Sequence, residues 1–222
     1  MNFIAAHARF TGAGALFCLT LWAASGCSPL QPQARAMVYD FGPGTIAVTA
    51  TVSDPGARLP TLVLGEVESP AALDNTAVLY RLGYSDAQQL RPYAHARWSM
   101  APAQLVRQRL REQLGQRRAV LQAAQGVGVA KPAMTLHLEL DEFSHWFESA
   151  NRSSGLVRIR ATLAQATGGV DRLLAQRSFV MQRPASSADA AGGVRAMADA
   201  TDAVITEIDQ WLQQVEKVQE GK

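Results

Sequence analysis

"AMTLHLELDEF", residues 133–143, decides the fold class. Leu136, Leu138 and Leu140 fall on one side, and His137, Glu139 and Asp141 on the other. That period of two marks a strand with one face in a core and one in water. The run continues as "HLELDEFSH", residues 137–145, the densest set of titratable groups in the chain. Imidazole and carboxylate side chains such as His137, Glu139, Asp141 and His145 can hold a divalent metal. A polar group at every second position is also what a solvated strand face requires, and the reading takes that simpler sense, with no metal site. Glu142 and Glu148 offer an acid–base pair, but no spacing fixes their separation.

Working outward, residues 154–166 and 172–182 flank Gly168-Gly169 and read as a hairpin. Beyond it, residues 189–217 place Val194, Met197, Thr201, Val204, Ile205, Ile208, Trp211, Leu212 and Val215 on one helical stripe, with Asp189 as its cap. Upstream, "LPTLVLGEVES" (59–69) reads as a buried strand. Residues 76–85 and 90–99 read as two strands of a hairpin around a turn at 85–89, and Pro92 places the second at an edge. Ser99 is expected to cap a helix over 101–118, with Pro102 in its first turn. A β-prone piece at Thr45–Val52 is expected to be loose or an edge strand. Strands between two amphipathic helices imply an α+β fold: a mixed, mostly antiparallel sheet of five or six strands carrying two helices.

Chemistry is sparse. There is no phosphate-binding GxxxxGK[ST], no GxSxG elbow and no HExxH. "GVG" at 126–128 is a loop pattern. No catalytic residue and no cofactor is assigned. A formal net charge of +2 carries no basic excess for nucleic acid.

The N-terminus is more informative. Arg9 is the one charged residue before an apolar stretch from Phe10 to Ala24. That stretch is shorter than the roughly 20 residues a membrane-spanning helix needs. Small residues Ala24, Ser25 and Gly26 then lead into Cys27, as in a cleaved secretory signal. The organisation expected is a signal peptide over 1–26, a lipidated N-terminus and tether over 27–36, one domain over 37–217 and a tail over 218–222. The two cysteines are Cys18 and Cys27, so export without Cys18 leaves no disulfide and the core must supply stability.

Residues 24–27 resemble the lipobox of bacterial lipoproteins, with Ala24 where that motif prefers Leu. The resemblance makes Cys27 the lipidated residue and, with Ser28 rather than Asp after it, implies the periplasmic face of the outer membrane. "YDFGPG" (39–44), "YRLGYSDAQQLRPYAHARWSMAPAQLVRQRLREQL" (80–114) and "GLVRIRATL" (155–163) resemble the ABC-type transport auxiliary lipoprotein family. The most specific parts are Tyr80-Arg81, the Arg91-x-Tyr93-x-x-x-Arg97-Trp98 run and Pro102. The resemblance implies an α/β domain without enzymatic activity. It also implies company with an ABC transporter and an MCE-domain protein in intermembrane transport of lipid or other hydrophobic molecules. Arg91, Tyr93, Arg97 and Trp98 are the candidate partner contacts, since Tyr, Trp and Arg dominate interface hot spots, although all four can equally serve the fold. Homo-oligomerisation is an open expectation. Two alternatives stay open: a domain that itself holds a lipid between sheet and helix, and an envelope regulator such as an activator of cell-wall synthesis.

Overall fold

The computed structural model describes residues 35–44, 59–122, 134–167 and 170–221. Cys27 and the signal sequence, most of the tether, the Thr45–Val52 segment, the GVG loop and the Gly168-Gly169 turn lie outside the described residues. The domain is the compact unit Ala36–Lys222.

Its elements in chain order are β1 (Met37–Tyr39), β2 (Leu59–Glu68), β3 (Ala77–Leu82), β4 (Asp86–Trp98), α1 (Pro102–Gly115), β5 (Arg118–Gln122), β6 (Met134–Ser149), β7 (Arg152–Thr167), β8 (Val170–Pro184) and α2 (Ala190–Glu220). The fold is α+β with a mixed sheet and two helices, as the periodicity predicts. The sheet has eight strands rather than five or six. Of the two additional short strands, β5 begins at Arg118, the last residue of the expected helix, and α1 itself stops at Gly115.

β6 organises the sheet. One edge pairs along its length with β7, which pairs in turn with β8, giving long antiparallel ladders. The other edge is shared by two shorter parallel partners placed end to end. β2 takes Met134–Glu139, and β3 takes His145–Phe147. β2 leads on to β5, while β3 leads through β4 to β1. β6 runs well beyond residue 143 because Asp141 is a bulge: Leu140 pairs with Ile159 and Glu142 with Arg158. The extra residue shifts the phase of the alternation, so the apolar face passes from Leu136, Leu138 and Leu140 to Phe143, His145 and Phe147.

Both helices lie on that face. α1 starts at Pro102 with Ala101 as its N-cap and no side-chain cap bond, so Ser99 does not cap it. Asp189 does cap α2, accepting from the Gly192 N–H at 2.8 Å. The α2 stripe is buried as expected: Met197, Thr201, Val204, Ile208 and Leu212 have no exposed surface. Beneath it lie Val157, Ile159, Ala161, Leu163 and Phe179.

Ion pairs tie the elements together. Arg118 and Glu216, 3% and 5% exposed, form a bidentate pair between β5 and α2. Arg117 adds a bond to Asp209 at 2.7 Å. Arg109 reaches from α1 to Asp202 of α2 at 3.3 Å and donates to the Phe41 carbonyl. Asp202 titrates above the ordinary carboxylate range, because burial outweighs the pull of Arg109. No helix among the described residues is long and apolar enough to cross a membrane.

Candidate functional site: the β3–β4 hairpin

Tyr80 and Arg81 are adjacent in β3 and so point to opposite faces of the sheet. On the helix face, the Tyr80 ring lies 4.7 Å from Tyr93 and 6.1 Å from Phe147. Tyr80 stands beside His145 in the parallel ladder. The Tyr93 hydroxyl and His145 Nδ1 share a hydrogen bond of 2.9 Å. His145 is wholly buried, and its Nε2 has no hydrogen-bond partner. Burial lowers its pKa to about 4, against a smaller opposing pull from Asp189 at the start of α2. The Tyr93 phenol is pushed upward, first by burial and then by the nearby Tyr80 and Asp189. At neutral pH the Tyr93–His145 pair is therefore uncharged. The absence of a side chain at Gly193 lets α2 close directly over the imidazole.

On the other face, Arg81 grips Glu142 of β6 with two bonds of 3.2 and 3.0 Å. Its Nη1 also donates to the carbonyls of Ala87 and Gln88 in β4. One guanidinium therefore fixes the hairpin tip to the central strand. Trp146 fills the space beneath Gly83, where a Cβ would collide with the indole.

The four candidate contact residues take separate places. Arg91 folds onto Gln89, its Nε donating to Oε1 at 2.7 Å. Arg97 donates through Nη1 to the carbonyls of Tyr93 and Ala96 at 2.6 and 2.8 Å. Tyr93 turns inward to His145. Trp98 is 2% exposed, wedged between Phe41 and Phe143 with ring centroids at 5.7 and 5.5 Å. The structure therefore puts the Trp98 indole into the core and leaves both arginines half-buried on opposite faces of β4, Arg91 across the ladder from Tyr80 and Arg97 turned away from the face that Trp98 fills. Pro92 sits where β4 has no outer partner among the described residues, since β1 pairs only with Ala96–Trp98.

"YDFGPG" does related work. The Tyr39 carbonyl accepts from the Ser99 N–H at 2.7 Å, and Phe41 packs on Trp98 and Phe143. Arg109 lies over the Phe41 ring at 5.9 Å. Gly44, at φ +67°, takes a left-handed conformation, and any Cβ there would meet the Arg109 guanidinium. Sequence reasoning missed the roles of Arg81, His145 and Arg109. Each depends on a partner more than 50 residues away, which no local pattern shows.

The acidic strand face is satisfied by a cation from the chain itself. Arg160 bridges Glu139 at 3.3 Å and Asp141 at 3.4 Å, while His145 points to the opposite face from His137. Glu142 and Glu148 are likewise paired, with Arg81 and Arg152. Among the described residues no cluster of His, Cys, Asp and Glu could hold a metal ion. A groove of about 440 Å³ runs between α1 and α2, lined by Gln113, Gln116, Asp202, Thr206 and Asp209 along with Leu114, Ala203 and Ile205. Polar groups dominate that lining, unlike the lining of a lipid tunnel.

Comparison with known proteins agrees with this picture. The model of the family described as "ABC-type transport auxiliary lipoprotein component" matches residues 39–209, well over half of the chain. A crystal structure of a protein from Xanthomonas campestris is similar at a TM-score of 0.63 and 17% identity, over 76% of this chain and 94% of that one. A second crystal structure, described as an uncharacterized protein, gives a TM-score of 0.55 at 16% identity, over 80% of this chain and 99% of that one. At these identities the likeness shows the fold. No curated protein sequence matches the chain.

Proposed function

This chain belongs to the family of ABC-type transport auxiliary lipoprotein components, and from that premise we propose that it is a non-catalytic docking component of an MCE-type ABC system. In this reading Cys27 carries the acyl anchor and Ser28 directs the protein to the periplasmic face of the outer membrane. The domain then meets the periplasmic end of an MCE-domain protein, so that a hydrophobic cargo arrives shielded from water. Shielding matters because each exposed CH₂ costs about 0.8 kcal/mol. Arg91 and Arg97, half-buried on β4, are the contacts we favour, with Tyr93 between them on the same strand.

One observation carries the choice of dock over carrier. The layer where a lipid would have to lie, between α2 and the sheet, is filled. Its side chains are buried, and at Gly155 the helix backbone touches the strand with no room for a methyl group. Such a domain acts through its surface. Site-specific photo-crosslinking in cells from position 91 tests this. The expected product contains an MCE-domain protein. Recovery of a cell-wall synthase instead would favour the regulator, and co-purified phospholipid in native mass spectra of the domain would favour the carrier.

A further inference from the structure

β8 lies on the opposite side of β6 from the β3–β4 hairpin, with β7 as its one strand partner among the described residues. Its outer edge is therefore an open row of main-chain N–H and C=O groups on a strand of 15 residues. Two of the most exposed large apolar side chains of the domain lie on this strand, Leu173 at 62% and Val180 at 54%. From Arg172 to Arg183 it carries three arginines and no carboxylate. Among the described residues none of the three is ion-paired, whereas Arg152 and Arg160 of the adjoining β7 are.

A bulge sorts these side chains by face. Arg172 and Arg177 are five residues apart and Leu173 and Val180 seven, so in an unbroken strand each pair would split between the two faces. Leu163 of β7 pairs with Ala175 and Ala164 with Leu173, which leaves Leu174 as an extra residue and resets the phase. Arg172 then opposes Gln165, on the side that carries Leu163, Arg177, Phe179 and Arg183. Leu173 opposes Ala164 and Val180 opposes Arg158, both on the other side. One face of the edge is cationic and the other aliphatic. Arg177 lies over the Phe179 ring at 4.9 Å, a contact that holds its stem in place. Charges also keep free edges from pairing at random. That task needs no sorting by face, and bare aliphatic groups work against it.

We propose that β8 takes up an extended segment of a partner protein as an added strand, in which Asp or Glu alternates with Val, Ile or Leu. Main-chain bonds to the open edge hold the segment. Its carboxylates lie beside Arg172, Arg177 and Arg183, and its aliphatic side chains beside Leu173 and Val180. This surface is across the sheet from Arg91 and stands whether or not that residue docks a partner.

The test uses the full-length chain in dodecyl maltoside and a synthetic peptide of about twelve residues that alternates Glu and Val. Amide hydrogen exchange over residues 172–183 is the readout. The expected result is slowed exchange with this peptide and none with a peptide of the same composition in which all Glu precede all Val. The double variant R172E/R183E, changed at two exposed side chains, should bind the Glu–Val peptide about tenfold more weakly and gain binding of a Lys–Val peptide. The gain keeps the test independent of stability, since an unfolded chain would show no protection with either. Equal protection by both Glu peptides would reduce the edge to a patch of general charge and overturn the proposal. Unchanged exchange with every peptide would mean that the arginines only guard the edge. Protection before any peptide is added, with the mass of a dimer, would give the edge to a second copy. Protection by phosphatidylglycerol vesicles alone would give it to a lipid surface. Each of these results would defeat the added strand.

Discussion

A Cβ on Gly155 would fall on the backbone of Ala196 and Met197, so β7 meets α2 main chain to main chain. His145 stands directly across the ladder from Gly155 and closes against Gly193 of the same helix. The first two turns of α2 are thus seated by two missing side chains around one imidazole. The seat explains why the helix begins where it does: the Asp189 cap sets its start, and the two glycines set its height above the sheet.

Gly155→Ala is expected to destabilise the domain by about 3 kcal/mol, the upper end of ordinary overpacking, because backbone rather than a mobile side chain must move. Gly115→Ala is the matched comparison. A Cβ there meets nothing within 4 Å, and the site is helical. It should stabilise by about 0.5–1 kcal/mol through the unfolded chain. Urea unfolding of both variants checks the pair. Equal effects would mean that the close approach at Gly155 relaxes without cost.

The contrast between these glycines shows what the sequence makes legible. Strands 59–68 and 77–82, the β7–β8 hairpin and the α2 stripe are readable because alternation and helical period are local. β6 is readable as a strand to Phe143, and its continuation to Ser149 is hidden by the phase shift at the Asp141 bulge. The first residue of β5, Arg118, reads as the solvated end of the preceding helix, and its partners Glu216 and Asp209, more than 90 residues away on α2, make it a buried one. Trp98 invited an interface reading by residue type. Its burial against Phe41 depends on a strand of three residues, too short to detect.

His145 gives the fold a pH dependence whose sign can be worked out. Its pKa in the folded state is about 4, below the ordinary value of 6.5. Between those values the unfolded chain binds the proton and the folded chain does not. Stability is therefore complete above about pH 6.5 and falls as pH drops toward 4, by up to about 1.4 kcal/mol per unit. His145→Gln should flatten the slope in that window while leaving the Tyr93 hydroxyl a partner. Denaturation midpoints at pH 7.5 and 5.0 for both proteins decide it, and an unchanged slope in the variant would acquit the histidine.

The Arg118–Glu216 pair predicts a different pattern. Removing one partner strands a buried charge, so Arg118→Met should cost about 3–5 kcal/mol. The double variant Arg118→Met with Glu216→Leu should recover most of that loss, because Asp209 keeps Arg117 as its partner. A double-mutant cycle by chemical denaturation measures the coupling. Additive losses would mean that the two side chains contribute through packing alone.

Arg91 and Trp98 lie seven residues apart in the same strand, and they should fail in opposite ways. Among the described residues the Arg91 guanidinium bonds to Gln89, so Arg91→Glu should change the melting temperature little, within about 0.5 kcal/mol of stability. If β4 docks an MCE-domain protein through Arg91, the same change should lower the crosslinking yield from a neighbouring position such as 95 several-fold. Trp98→Ala should instead destabilise the domain by about 3–5 kcal/mol, since it empties the space between Phe41 and Phe143. Its crosslinking yield should then fall only in proportion to the folded fraction. Thermal unfolding and crosslinking measured on the same two variants separate the roles. A stable Arg91→Glu protein that crosslinks at the full yield would remove Arg91 from the proposed contacts.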